Sequence, residues 1–234
     1  MKSGLRFTRP TGSLSNVALM RLTVCVACAA LLSALSLSAA QKTFTNRLDF
    51  ANADSLSKLT LDGSGTWEVK DHMLILTKAG TPGGPIRRPS ALAVLKSDPL
   101  VRATVQVEMR STAPEEVKNR DLEIIFGYES PSRFYYVHLA GITDPNHNGI
   151  FLVDNKDRRR IDDGTTPPQL KDREWHRARL ERDGSTGRID IFVDDSKQPV
   201  LKATDTTIPS GRVGLGSFDD TGEFRNFSVT GSAK

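Results

Sequence analysis

The stretch that decides the fold is Asp121-Leu-Glu-Ile-Ile-Phe-Gly-Tyr128, followed by Arg133-Phe-Tyr-Tyr-Val-His-Leu-Ala140 and then by Gly149-Ile-Phe-Leu-Val-Asp154. The three segments are rich in β-branched and aromatic residues, and Pro, Ser, Asn and Gly separate them. This composition predicts three consecutive strands, of which the first two form a hairpin.

Side chains of a strand alternate between its two faces, which lets the hairpin be aligned. A four-residue loop at Glu129–Ser132 predicts core pairs of Leu122 with Leu139, Ile124 with Val137, and Phe126 with Tyr135. On the opposite face, Glu123 then pairs with His138. A slip by one residue would bury both polar side chains in the core, which is costly. A slip by two keeps the parity and remains an alternative, with Glu123 opposite Tyr136 or Ala140.

Residues 1–40 have the pattern of a secretory signal peptide. They contain four basic residues and no acidic one, an apolar run from Val24 to Ala40, and small residues at its end. Translation from Met20 would give a signal of ordinary length. We therefore predict cleavage before Gln41, export to the periplasm or the medium, and no membrane attachment afterwards.

Charge and cysteine content limit what the exported part does. Four of the 32 basic residues and none of the 28 acidic ones lie in residues 1–40, so residues 41–234 carry no net formal charge. A neutral chain gives no reason to expect a nucleic acid partner. Both cysteines, Cys25 and Cys28, fall in the signal, so neither disulfides nor a thiolate zinc site is expected in one domain of this length. No feature indicates an oligomeric state.

The rest of residues 41–234 alternates short strand-like segments with turns, and shows neither an internal repeat nor an amphipathic helix. Leu100–Met109 is an example, because its apolar and polar residues alternate regularly. Further strands are predicted at 44–50, 66–70, 73–77, 91–95, 157–161, 175–180, 188–193, 199–203, 211–216 and 224–229. About a dozen short strands without βα units predict a single antiparallel sandwich.

Several motifs resemble the concanavalin A-like lectin/glucanase superfamily. Trp67-Glu-Val-Lys-Asp-His-Met-Leu74 resembles its opening, and Trp175–Leu180, Ile191–Asp194 and Gly211–Leu215 resemble the closing hairpins of laminin-G-like members. Phe218–Asn226 is similar to the end of bacterial domains described as family 16 glycoside hydrolase-like or 3-keto-disaccharide hydrolase. The resemblance implies an all-β, two-sheet antiparallel jelly-roll sandwich over residues 41–234, with a concave face that meets saccharide.

The chain departs from these relatives in two places. Family 16 hydrolases carry Glu-x-Asp-x-x-Glu on one strand, whereas the nearest match here, Asp121-Leu-Glu123, lacks a third carboxylate. Retaining hydrolysis needs two carboxyl groups about 5–5.5 Å apart. Many members also bind calcium through an aspartate in the last strand, where this chain has Arg225. No cofactor or metal is therefore expected, and structural calcium is disfavoured.

The candidate site lies on the polar face of the hairpin and in the loop that follows it. Glu123 and His138 are the candidate acid and base. Candidate ligand-binding residues are those that could stack on a sugar ring or bond to its hydroxyls: Phe134, Tyr136, Asp144, His147, Asn148, Arg158 and Arg160.

Three functions fit this pattern. The first is a secreted module that binds saccharide on its concave face. The second is a glycoside hydrolase-like enzyme acting on a disaccharide or polysaccharide. The third is a laminin-G-type domain that binds protein. The incomplete carboxylate motif favours the first, and the Glu123–His138 pair favours the second.

Overall fold

The computed structural model describes residues 43–81, 83–163 and 168–233, and the predicted signal peptide lies outside them. The described chain is an all-β, two-sheet antiparallel jelly-roll sandwich, as predicted. Its one helical element is a 3-10 helix at Ala53–Lys58, started by the Asn52 side chain accepting from the Asp54 N–H. Within this part of the chain, no helix has the length and apolar character needed to cross a bilayer.

One sheet has eight strands among the described residues. They are Thr43–Leu48 (β1), Thr66–Lys70 (β3), Met73–Lys78 (β4), Leu100–Ser111 (β6), His176–Asp183 (β11), Arg188–Val193 (β12), Leu201–Thr204 (β13) and Gly222–Ala233 (β15). Their order is β13-β12-β11-β6-β15-β4-β3, and β1 also pairs with β15. The long β6 and β15 form the middle of this sheet.

The other sheet has seven strands in the described chain. They are Leu59–Gly63 (β2), Ala91–Leu95 (β5), Asp121–Ser130 (β7), Arg133–Ala140 (β8), Gly149–Asp154 (β9), Arg159–Arg160 (β10) and Arg212–Ser217 (β14). Their order is β10-β9-β8-β7-β14-β5-β2. Strand β2 was not predicted, and β10 is shorter than the predicted 157–161.

The β7–β8 hairpin has the predicted register over most of its length. Leu122 pairs with Leu139, Ile124 with Val137, Phe126 with Tyr135, and Glu123 with His138. Glu123 therefore pairs directly with His138, and the alternative register, shifted by two residues, is wrong. The three apolar pairs pack in the core between the sheets, which the alternation of the sequence requires.

The predicted loop at Glu129–Ser132 is wrong. Strand β7 continues to Ser130, which pairs with Arg133 across a two-residue turn. The register shifts between Phe126 and Ser130 to make this fit, and Gly127 there has φ 58°. At an irregularity of a strand pair, glycine adopts the left-handed conformation at a lower free-energy cost than other residues do.

Both faces of the seven-stranded sheet are covered around the hairpin. Its inner face joins the inter-sheet core. The side chains of its outer face form a second apolar cluster, consisting of Leu92, Val94, Ile125, Tyr128, Phe134, Tyr136, Phe151 and Val153. Ile86 packs against this cluster, and the guanidinium groups of Arg158 and Arg212 lie 4.8 and 5.1 Å from the ring centres of Phe151 and Tyr128. The outer face, which was expected to be open, is therefore covered by Ile86, Arg158 and Arg212, and we call these three side chains the roof.

Replacing Gly127 by alanine should lower the free energy of unfolding by roughly 1–3 kcal/mol, because the left-handed conformation disfavours a Cβ and overpacking adds to the cost. The added Cβ would lie 2.9 Å from Cδ2 of Tyr135. Urea denaturation measures the change. Gly83→Ala is the control, since a Cβ there meets no atom within 4 Å. Equal stability of the two variants would contradict the proposed role of Gly127.

Candidate functional site

Three polar side chains lie together under the roof of the seven-stranded sheet. Asp121 and Glu123 come from β7 and His138 from β8, and all three are at most 2 % exposed. Nε2 of His138 is 2.7 Å from Oδ2 of Asp121 and 3.9 Å from Oε1 of Glu123. We call these residues the Asp–Glu–His cluster. The predicted shared face of Glu123 and His138 is confirmed, and Asp121 is the closer partner of the imidazole.

The turn between β14 and β15 fixes the position of Asp121. The Ser217 hydroxyl and the Phe218 N–H donate to its carboxylate at 3.1 and 2.9 Å. Asp220 accepts from the Asp121 N–H at 3.0 Å, and its own N–H donates to the Ser217 hydroxyl at 2.9 Å. These bonds hold the Asp121 carboxylate beside His138.

Glu123 differs from Asp121 in having no such support. Among the described residues, neither of its carboxylate oxygens has a hydrogen-bond partner, and Nδ1 of His138 also has none. Buried polar atoms are nearly always paired in folded proteins. The unpaired atoms of Glu123 and His138 are therefore the feature of this cluster that calls for a ligand or a proton.

The environment shifts the pKa values of the two β7 carboxyls, Asp121 and Glu123, in opposite directions. Burial and the negative charge of Asp121 raise the pKa of Glu123 well above its usual range. Burial also acts to raise the pKa of Asp121, but the charge and hydrogen bond of His138 and the bond from Phe218 outweigh it, so that this pKa is lowered. Two neighbouring carboxyls whose pKa values are shifted in opposite directions are typical of an acid–base pair.

Asp219 and Asp220 add two carboxyls next to the cluster, and an oxygen of each lies within 4.8 Å of one of Asp121. Burial, followed by the charges of Asp121 and Asp219, raises the pKa of Asp220 to about 7. The β14–β15 turn thus brings two further carboxyls close to Asp121.

A rim of four side chains connects the cluster with solvent. It consists of Asp144, His147, Arg158 and Asp219. The ring centres of His147 and His138 are 5.4 Å apart, and Nδ1 of His147 is 2.8 Å from the Asp144 carboxylate. Arg158 lies 4.2 Å from the ring centre of Phe218, and Asp219 is exposed. The rim offers both donors and acceptors at the surface.

The prediction that Phe134 and Tyr136 form an open surface for stacking is wrong. Both are fully buried, because Phe151 stacks on Tyr136 and the roof covers the pair. The Tyr136 hydroxyl accepts a hydrogen bond from Arg158 at 2.8 Å. These rings form a floor beneath Arg158, and Glu123 and His138 lie at the same depth instead of lining an open concave face.

Asn148 and Arg160 hold the loop that carries His147. The buried Asn148 amide donates to the Thr143 hydroxyl and the Pro168 carbonyl, both at 3.0 Å, so its predicted contact with a ligand is not supported. Arg160 donates to the backbone carbonyls of Asp144, His147 and Asn148. Both side chains shape the rim from below.

Sequence reasoning missed five site residues: Asp121, Ser217, Phe218, Asp219 and Asp220. The parity of β7 places Asp121 on the face of Glu123, so this signal was present. No local pattern indicates that the β14–β15 turn reaches β7, because the two segments are far apart in sequence.

Two groups of described residues have the spacing to hold a metal ion: Asp121, Glu123 and His138, and Asp121, Asp219 and Asp220. The disfavoured calcium position in the last strand has a different environment. There the Arg225 guanidinium bonds to Glu108 at 2.7 Å and lies 4.1 Å from the ring centre of Trp175. Asp49 and His72 border the same cleft of about 490 Å³.

Neither a known protein family nor a curated protein matches this sequence. The fold resembles solved structures of low sequence identity. A carbohydrate-binding module of Bacillus subtilis, CBM66, matches with a TM-score of 0.57 and 16 % identity over 74 % of this chain and 94 % of the module. A Bauhinia forficata lectin solved in complex with GalNAc matches with 0.52 and 18 % identity over 82 % and 99 %.

A Bacillus subtilis protein described as having a galectin-like fold matches with a TM-score of 0.53 and 12 % identity over 80 % of this chain and 96 % of that protein. At such identities the likeness shows the fold. These matches place the chain among lectin-like jelly rolls, and the site must be judged on its own residues.

Replacing Asp220 by asparagine should change how stability depends on pH. The folded protein keeps the Asp220 proton up to pH about 7, whereas the unfolded carboxyl loses it near pH about 4. The stability due to this group therefore falls as pH rises between these values. The asparagine side chain cannot titrate and still accepts from the Asp121 N–H. Allowing for screening by water, we expect the free energy of unfolding of the variant, relative to that of wild type, to be about 1 kcal/mol higher at pH 7.5 than at pH 4.5.

Urea denaturation of wild type and variant at both pH values measures this difference. Asp195→Asn is the control, because the Asp195 side chain is 88 % exposed beside Arg177 and its replacement should not alter the pH dependence. If Asp220→Asn changes the free energy of unfolding by the same amount at both pH values, Asp220 is not held protonated in the folded protein.

Proposed function

We propose that this protein is exported and binds saccharide at the rim formed by Asp144, His147, Arg158 and Asp219. The observation that carries the proposal is a mixed set of donors and acceptors above a layer of buried rings, in which Asp219 is exposed and the other three side chains are half-buried. Sugar hydroxyls act both as donors and as acceptors, so such a set suits them. Charge-assisted hydrogen bonds from arginine and carboxylate are the stronger kind.

The fold supports saccharide as the ligand class. Two of the structures that share it are described as a carbohydrate-binding module and as a lectin in complex with GalNAc. The burial of Phe134 and Tyr136 changes the expected mode of binding. Hydrogen bonds to the rim, and not stacking on those two rings, are expected to supply the affinity.

Hydrolysis of a saccharide is the second candidate, and one observation favours it. Glu123 has a raised pKa beside Asp121, whose pKa is lowered. A protonated Glu123 could donate its proton to a leaving oxygen, with His138 beside it as the base. Because Glu123 is fully buried, this function also requires the roof to open for substrate.

Replacing Arg158 by alanine should weaken saccharide binding by about tenfold or more, because a charge-assisted hydrogen bond contributes about 1.5–3 kcal/mol. A glycan panel identifies the ligand, and calorimetry then gives the affinities of wild type and variant. The control is Arg179→Ala, since Arg179 lies 3.7 Å from the ring centre of Phe192 on the other sheet. Equal losses in both variants, or no glycan bound by wild type, would refute the rim as a saccharide site.

The variant Glu123→Gln separates binding from catalysis. Glutamine has the same shape but cannot donate the acid proton. Loss of product release with intact binding would identify Glu123 as a catalytic acid, whereas unchanged product release would exclude that role. Absence of products from the whole panel with wild-type protein would leave saccharide binding as the function.

Export has a separate test. The basic start, the apolar run and the small residues of 1–40 predict that the mature chain begins near Gln41. Amino-terminal sequencing of protein recovered outside the cytoplasm should therefore read Gln-Lys-Thr-Phe. A protein that stays in the membrane fraction with its start at Met1 or Met20 would contradict cleavage.

A further inference from the structure

We propose that Asp121, Glu123 and His138 bind a divalent first-row transition-metal ion such as Mn²⁺ or Zn²⁺. Each residue offers one ligand atom, and these atoms lie within 4.8 Å of one another. Ligand atoms of a tetrahedral ion at about 2.0–2.2 Å are about 3.3–3.6 Å apart. The distances from Nε2 of His138 to Asp121 and Glu123, 2.7 and 3.9 Å, lie on either side of this spacing, so the three side chains must adjust to surround a single ion.

The unpaired atoms of the cluster point independently to an ion. Glu123 is fully buried, its Oε1 is directed towards His138 at 3.9 Å, and neither of its oxygens has a hydrogen-bond partner in the described chain. A structural acid in such a place would be expected to have donors around it, as Asp121 has. A cation supplies the missing partner to Glu123 and joins it to the other two residues.

The surroundings orient two of the three proposed ligands, Asp121 and His138. Ser217 and Phe218 orient the Asp121 carboxylate by hydrogen bonds. The rings of Phe151 and Phe218 meet the His138 ring edge-on, with centre distances of 6.0 and 6.1 Å, and limit its rotation. Such outer contacts fix the direction of ligands and tune their affinity for the metal.

Asp219 is an exposed carboxylate next to the buried ligands. It belongs with Asp121 and Asp220 to a second group of oxygens within 4.8 Å, so Asp121 is common to both groups. An ion arriving from solvent would meet Asp219 first, and because the three proposed ligands are at most 2 % exposed, its entry also requires the roof to open.

The ligand types select the kind of ion. Calcium prefers six to eight oxygens, and magnesium prefers oxygens in an octahedron. One buried imidazole nitrogen with two buried carboxylates suits Zn²⁺ or Mn²⁺ better. The sequence predicted no metal and considered only calcium near Arg225, so this site differs from that expectation in position and in ion. It does not depend on saccharide binding.

The test uses the mature chain freed of metal with a chelator, without any saccharide. Calorimetric titration with Zn²⁺ or Mn²⁺ should give about one equivalent bound, and the melting temperature should rise with metal by mass action. Glu123→Gln should lower the affinity at least about 100-fold, since even the loss of an outer-shell partner costs about 10–100-fold. Ca²⁺ should have little effect.

His176→Gln is the matched control. His176 also lies between two carboxylates, Asp172 at 2.8 Å and Asp194 at 2.9 Å, but on the other sheet and with both ring nitrogens bonded. Its replacement should leave the affinity unchanged. Loss of binding in this variant, unchanged affinity in Glu123→Gln, stronger stabilisation by Ca²⁺ than by Zn²⁺, or no binding to wild type would each overturn the proposal.

A measurement on wild type covers the case in which Glu123→Gln does not fold. Sub-stoichiometric Mn²⁺ broadens the amide resonances of nearby residues. Broadening should be strongest at residues 121–123 and 138 and weak around His176. The opposite distribution would place the ion elsewhere and overturn the assignment.

Discussion

The β7–β8 hairpin is covered on both faces, and the properties of the candidate site depend on this constraint. A sandwich normally buries one face of each sheet and leaves the other in water. Here the outer face of the seven-stranded sheet carries its own layer of rings, with arginine side chains over them. Asp121, Glu123 and His138 are therefore removed from solvent, which acts to raise the pKa of both carboxyls. Only Asp121 has the charge and hydrogen bond of His138 and the bond from Phe218, which together lower its pKa.

Parity along β7 and β8 could be predicted from the sequence, because each strand alternates a continuous apolar series with a second series that includes Glu123 and His138. The direct pairing of these residues followed from an assumed loop that is wrong, and the register is still correct. The irregularity at Gly127 absorbs the difference, since it lets β7 run on to Ser130 without shifting the pairs closer to the middle of the hairpin.

Exposure of the second face could not be predicted in the same way. Whether a strand face meets water depends on what packs above it, and Ile86, Arg158 and Arg212 reach this face from segments far apart in sequence. The approach of two further carboxyls to Asp121 has the same origin, because Asp219 and Asp220 come from the turn after β14. A search along one strand does not detect carboxyls that tertiary contact brings near it.

Burying the unpaired carboxyl of Glu123 costs folding free energy, and this cost is itself an argument that Glu123 has a function. Its neighbours on the outer face include Ile125 and Tyr136, and an apolar residue at position 123 would continue that layer without a buried carboxyl. Replacing buried polar groups by well-packed apolar ones is often neutral or stabilising. The fold therefore gains nothing evident from an unpaired acid at this point, and places that break a local rule are expected to be functional. The chemistry of this protein is for that reason sought at Glu123 and its two partners, whether the group they hold is a proton, a sugar or a metal ion.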